Sequence, residues 1–199
     1  MDFKIPAKDK KEETPSPTFT DKDMEKWVSE EETVNSTICA LFVGDPKTGK
    51  SGVALDSRTE QDIKDVKKIL VIEMNSDNGC KLTKKEFQKD DPNIIVKDPR
   101  EFSVDLETGD WNFDYIKTMA KIKALLMWTK AVKDKINLKT IVFDGADVFL
   151  SEVCENQMRI EKNLDAAGGV TYAYWKNRNK YFYDVMNLMF TIDVDKYIL

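Results

Sequence analysis

Ser36-Thr-Ile-Cys-Ala-Leu-Phe-Val-Gly-Asp-Pro-Lys-Thr-Gly-Lys-Ser-Gly52 is the stretch on which the reading of this chain turns. From Thr37 to Val43 it is an almost unbroken apolar run of strand length, which predicts a buried strand. Gly44 to Ser51 then fits G-x-x-x-x-G-K-[ST] at every fixed position. Glycines at 44 and 49 let the backbone curl, so that successive N–H groups point inward at a di- or triphosphate. A helix beginning near Lys50 would add the positive end of its dipole. Lys50 would reach the terminal phosphates, and the Ser51 hydroxyl would take one position on Mg²⁺. The candidate phosphate cradle is therefore Gly44, Asp45, Pro46, Lys47, Thr48, Gly49, Lys50, Ser51 and Gly52.

A second informative stretch lies about a hundred residues on. In Lys139-Thr-Ile-Val-Phe-Asp144, β-branched and apolar residues run straight into an acid. That is the pattern of a buried parallel strand whose tip carries a carboxylate, and ligands of open α/β sheets bind at such tips. Asp144 there would hold Mg²⁺ through water. Asp147 is the fallback, although its place in Asp144-Gly-Ala-Asp147 also suits a helix cap.

Working outward, Ile69 to Glu73 reads as a second buried strand ending in an acid, and Asn93 to Val96 as a third. Between the phosphate loop and Lys68 the pattern is broken helix, with a turn at Asp56-Ser57-Arg58. Glu107 to Asp110 is a turn, and Asp114 opens a helix with Ile116, Met119, Ile122 and Leu126 at helical spacing. Residues 151 to 165 read as a polar helix broken by Gly168-Gly169. After it, Trp175, Tyr181 and Tyr183 alternate with Lys176, Arg178 and Lys180. This interleaving suits stacking on bases, or a cation offered to a neighbouring subunit's nucleotide. It equally suits a helix with an aromatic core face and a solvated charged one. Asp195 to Leu199 begins as a strand. Upstream, residues 1 to 22 are polar and read as a flexible arm, with Phe3 and Ile5 as a docking motif or plain tail, and 23 to 32 as a short helix.

Composition bounds the alternatives. With 199 residues, 41% hydrophobic and 10% aromatic, the chain suits one domain with a real core. A net charge of −5 argues against wholesale wrapping around nucleic acid, while leaving room for a local basic face. No apolar run approaches the roughly 18–20 residues of a membrane span, and the expected compartment is a reducing cytoplasm. Cys39, Cys80 and Cys154 stand far apart, so neither a disulfide scaffold nor a zinc site is expected. There is no histidine at all, which removes Ser-His-Asp, Cys-His and His-metal chemistry together.

The order of these signals resembles the ATPase core of RecA/RadA-type recombinases. More closely, it is similar to phage and archaeal AAA-type versions related to phage single-strand annealing proteins, over roughly residues 36 to 199. The resemblance implies a P-loop NTPase with an α/β fold, a parallel β-sheet flanked by helices on both faces around a RecA-like core. It implies ATP and Mg²⁺ as cofactors, Lys50 and Ser51 as the Walker-A pair, and Asp144 as the Walker-B acid. It also implies single-stranded DNA as a partner and a homo-oligomeric ring or filament, with Trp175, Lys176, Arg178 and Lys180 as candidates for either contact. The family places a water-orienting glutamate just past the second strand. Asn75 stands there, so Glu73 is the preferred candidate beside Lys50 and Asp144 in the catalytic set, and Asp77 the second. The family's polar sensor at the last strand tip would fall just past Leu199, so a core spanning 23 to 199 is expected to be C-terminally incomplete. Two other classes fit the phosphate loop. A small-molecule or nucleotide kinase would want an arginine-rich lid, and Arg58, Arg100, Arg159 and Arg178 form no cluster. A nucleotide-gated scaffold with little hydrolysis fits Asn75 and the lack of an evident arginine finger.

Overall fold

The structure is a computed structural model that describes residues 20, 22, 37–45, 47–164 and 171–199. The chain divides into two units, Met1–Asn35 and Ser36–Leu199, and the sheet belongs wholly to the second. The expected N-terminal arm and the helix over 23 to 32 lie outside the described residues.

Five strands form one all-parallel sheet: β1 (Cys39–Leu41), β2 (Lys68–Glu73), β3 (Ile94–Lys97), β6 (Leu138–Asp144) and β7 (Asp195–Ile198), in the spatial order β1-β7-β6-β2-β3. Helices α1 (Lys50–Leu55), α2 (Glu60–Lys64) and α3 (Gly79–Phe87) fill the connections from β1 to β3. Helix α4 (Tyr115–Val132) leads back to β6. After β6 come α5 (Ala146–Val148), a π-helical segment (Phe149–Cys154), α6 (Glu155–Glu161) and α7 (Tyr172–Phe190).

The first two crossovers move across the sheet one way and the last two move back. Since parallel crossovers are right-handed, this reversal puts the two sets of helices on opposite faces. The core agrees. Ile69, Val71, Val142 and Tyr197 pack with Ala54 and Leu55 of α1 and Cys80 of α3. Ile72, Ile141, Phe143 and Ile198 pack with α4, the π-helical segment and α7. Alternate residues of one strand thus face different helical layers, as the period of two requires. Burial on both faces is why β2 and β6 read as continuous apolar runs.

One expectation needs correction, and one holds with an addition. Instead of a buried strand, β1 pairs among the described strands only with β7, leaving Leu41 at 67% and Val43 at 87% exposure. Apolar content alone does not say whether a strand is central or at an edge. The turn at 107 to 110 also closes an antiparallel hairpin, β4 (Phe102–Val104) and β5 (Trp111–Phe113), that strands of three residues do not announce. The Asp105 carboxylate accepts the N–H groups of Glu107 and Thr108 at 2.8 and 3.3 Å, and Gly109 takes a positive φ.

Among the described residues no helix is long and apolar enough to cross a membrane. All three cysteines are free, Cys39 exposed and Cys80 and Cys154 buried.

The broken helix after the phosphate loop has a local explanation that yields a test. Thr59 caps α2, its hydroxyl accepting from Asp62 N while the Asp62 carboxylate accepts from Thr59 N, a reciprocal capping box. Lys67 lies 3.0 Å from the same carboxylate. Burial pushes Asp62 up, but the Thr59 N–H, Lys67 and the Thr59 hydroxyl outweigh it and hold Asp62 at about 2, below its usual 3.8. A depressed acid contributes stability above its unfolded pKa and loses it as pH falls through the folded one. Asp62→Asn should therefore cost about 2 kcal/mol near neutrality, at about 1.4 kcal/mol per pKa unit. That deficit should vanish between about pH 4 and pH 2. Urea denaturation of both proteins across this range checks it, and a pH-independent deficit would refute it.

Candidate functional site

Strand parity fixes the site before any side chain is placed. Glu73 shares parity with Ile69 and Val71, and Asp144 with Val142, so both acids face the layer of α1 and α3. The register of β2 on β6 sets Glu73 directly opposite Asp144 at the carboxyl ends of adjacent strands. β7 intervenes between β6 and β1, its Ile198 pairing with Phe143 on one side and Leu41 on the other. The phosphate-loop candidate leaves the carboxyl end of β1, so the loop and both acids lie at one end of the sheet.

The loop is curled as its sequence predicts. Lys47 and Gly49 have φ of 66° and 87°, and α1 starts at Lys50. The Lys50 ammonium donates to Gly44 O at 2.6 Å, Asp45 O at 2.8 Å and the Thr48 hydroxyl at 3.4 Å. Thr48 also donates to Asp45 O at 2.8 Å. The loop thus closes on its own lysine, whose hydrogen bonds go to two loop carbonyls and the Thr48 hydroxyl. Pro46 lies outside the described residues.

Ser51, one residue into α1, meets the start of α3. Its hydroxyl lies close enough to the Cys80 thiol to pull its pKa down, and a Cβ on Gly79 would come within 3.7 Å of it. Cys80 joins the two acids. Its N–H donates to Glu73 Oε1 at 2.8 Å, and its S–H donates to Asp144 Oδ2 at 3.0 Å. Asn75 donates to the other Asp144 oxygen at 2.9 Å. Lys81 adds an N–H to Glu73 Oε1 at 3.4 Å, with its ammonium 3.6 Å from Oε2.

Electrostatics follow from this packing. Burial raises Asp144 above the usual carboxylate range and the Asp77 charge adds to it, while Cys80, Asn75 and the Lys50 charge pull it back. Burial likewise raises Glu73, opposed by the Cys80 and Lys81 N–H groups. Burial and then the Asp144 carboxylate push the Cys80 thiol far up, so it stays protonated and remains a donor. Two acids that resist ionisation, beside a lysine and a hydroxyl, suit a site completed by a cation.

The sequence-derived residues divide accordingly. Lys50, Ser51, Glu73 and Asp144 come together. Asp77 is exposed, its carboxylate accepting from Gly79 N at 3.1 Å. It lines a cavity of about 410 Å³ with Asn75, Arg100, Phe102, Phe113 and Glu152, where the hairpin meets the end of β2. Asp147 is exposed in the first turn of α5, which has no side-chain cap. The aromatic-basic helix α7 packs on the opposite face of the sheet. There Arg178 sits 5.3 Å above the Trp175 ring and 3.6 Å from Glu155, and Lys180 pairs with Asp184 at 2.8 Å. Trp175 is about half exposed and Lys176 is exposed.

Sequence reasoning missed Cys80 and the role of Asn75. The available signal was positional: both follow directly on a strand that ends in Glu73, one in the loop and one at the next helix start.

Comparison with known proteins finds no matching family model, no matching curated protein and no matching solved structure.

Gly145, next to Asp144, carries a test of the arrangement. Its φ is 87°, and a Cβ there would stand 2.8 Å from Asn75 Oδ1 and 3.1 Å from Asn75 N. Gly145→Ala should therefore destabilise by about 2–3 kcal/mol, left-handed strain of about 1–2 kcal/mol plus displacement of Asn75. Chemical denaturation measures it. A cost below about 0.5 kcal/mol, the range of a neutral surface change, would mean that Asn75 is not held against Gly145.

Proposed function

We propose that this chain is a Mg²⁺-dependent ATPase of the P-loop class, binding ATP at Gly44–Ser51. The single observation that carries the reading is the meeting of three things at one end of a parallel sheet: a curled Gly-rich loop with its lysine, a hydroxyl at the head of α1, and a buried acid at a strand tip. Lys50 would exchange its loop carbonyls for the β- and γ-phosphates. The Ser51 hydroxyl and Asp144 would hold Mg²⁺, which supplies charge neutralisation when bound. The donor set fits: a hydroxyl and a carboxylate are hard oxygen ligands, and burial raises Asp144, a cost that a bound cation would offset. Asn75 and Cys80 fix its two oxygens in orientation.

Action on single-stranded DNA by an oligomeric ring or filament of RecA-like type is a further part of the proposal. It rests on motif order and on exposed Trp175 and Lys176.

A second reading, nucleotide-gated binding with slow turnover, has its own observation. Glu73 is fully buried and spends Oε1 on the N–H groups that open α3, while Asn75 occupies the loop beyond β2. A carboxylate so engaged is poorly placed to orient an attacking water.

ATP binding and hydrolysis by wild type and Lys50→Ala, with and without single-stranded DNA over a protein dilution series, test the proposal. The variant should stay folded and lose about a hundredfold or more in turnover, the scale of removing one charge-stabilising donor. Wild-type turnover in Lys50→Ala would refute the assignment. Tight binding without turnover would favour the gated reading, and phosphate transfer to nucleotides with no effect of DNA would favour a kinase.

A further inference from the structure

We propose that Glu73, Cys80 and Asp144 form a binding site for one thiophilic divalent cation of the zinc and cadmium class. One ligand atom from each, a sulfur and two carboxylate oxygens, lies within 4.8 Å of the others, and all three residues are buried. The ligands come from β2, α3 and β6, three separate elements, which is why the cysteine spacing gave no hint of a metal site.

A second observation points to a missing partner. Glu73 Oε2 belongs to a side chain only 1% exposed and has no hydrogen-bond partner among the described residues. Its contact is the Lys81 ammonium, an ion pair at 3.6 Å. A buried carboxylate oxygen left without a hydrogen bond costs free energy, which a cation recovers.

Geometry and charge both accommodate the ion. Tetrahedral zinc, with bonds of about 2.0–2.3 Å, holds its ligand atoms about 3.5 Å apart. Cys80 Sγ and Asp144 Oδ2 are already 3.0 Å apart, bridged by the thiol proton. On binding, the Cys80 S–H bond breaks, its proton leaves to solvent, and the sulfur lone pair and an Asp144 oxygen bond the cation in its place. No electron is transferred. Two carboxylates and a thiolate carry three negative charges, which a divalent cation and the Lys81 ammonium balance. The mixed sulfur and oxygen set selects zinc or cadmium over Mg²⁺ or Ca²⁺. Ser51, whose hydroxyl lies beside the thiol, can supply a fourth ligand. The site shares Asp144 and Ser51 with the Mg²⁺ reading, but no phosphate takes part in it, so the two can fail separately.

The test titrates Cd²⁺ into reduced, metal-free, full-length protein without nucleotide, following the ultraviolet sulfur-to-cadmium charge-transfer absorption and displacing it with Zn²⁺. Cys39 is exposed and would bind Cd²⁺ on its own, so Cys39→Ala is the background. We expect one equivalent bound in that background, displaced by Zn²⁺, and no absorption once Cys80→Ser is added. Glu73→Gln should weaken binding by on the order of tenfold or more, since even outer-shell partners of a metal are worth about 10–100-fold. Cys154→Ser should change nothing, its thiol lying in the other core layer. Absence of the absorption in folded Cys39→Ala protein, its loss with Cys154→Ser, or an affinity unmoved by Glu73→Gln would each overturn the site. Should Cys80→Ser not fold, the Cys39→Ala titration and the Glu73→Gln comparison decide alone.

Discussion

Two acids set side by side in a dry sheet are the constraint on which the rest depends. The parallel register of β2 on β6 puts Glu73 opposite Asp144, and both are buried where ionised groups are costly. Every neighbour answers that cost. The start of α3 brings N–H groups to Glu73, the Cys80 thiol and the Asn75 amide donate to Asp144, and Lys81 lies beside Glu73. Removing the acids would take away the reason for α3 to begin where it does, and α3 is what packs against α1 behind the phosphate-loop candidate. The polar pair thus positions apolar layers, reversing the usual order in which packing positions a site.

The loop is held more loosely than the acids. β1 has three paired residues and a single sheet neighbour, β7, whose Asp195 carboxylate accepts Ile38 N at 2.8 Å. Its distance from Asp144 is therefore set by one intervening strand. Lys50, folded onto its own loop carbonyls, gives the loop a self-satisfied closed arrangement. A phosphate that takes Lys50 must offer more than those carbonyls do. Anions do so readily in a concavity of backbone N–H groups. On the proposed reading the ammonium would exchange these carbonyls for phosphate, and a loop of that kind would couple ligand binding to shape.

Much of this was legible in the residues because two periods carry it. Apolar runs located β2, β3 and β6, the residues from Asp195 on marked the start of a strand, spacing of 3.6 located α4, and the glycine-lysine-serine signature located the loop. Strand order was not legible. That β7 lies between β1 and β6, and that β1 lies at an edge among the described strands, depends on crossovers no local pattern encodes. The hairpin of β4 and β5 was hidden because three residues are too few to establish alternation. Arg178 looked available because its partner Glu155 lies on a different helix. Cys80 looked solitary for the same reason: its companions are near in space and far in sequence.

The two cation readings of Asp144 make different demands on it. Oδ1 is held by Asn75 and Oδ2 by the Cys80 thiol, so each oxygen keeps one free lone pair. A hard cation can be served through water while both donors stay. Magnesium, which parts with its waters reluctantly, suits that outer position. A thiophilic cation instead takes the place of the thiol proton and binds sulfur and carboxylate directly. The first mode leaves α3 tied to Asp144 by a hydrogen bond. The second ties it by coordination. The thiol proton therefore decides which chemistry Asp144 can support, and the burial that keeps it on sulfur favours the hard cation until a soft one displaces it.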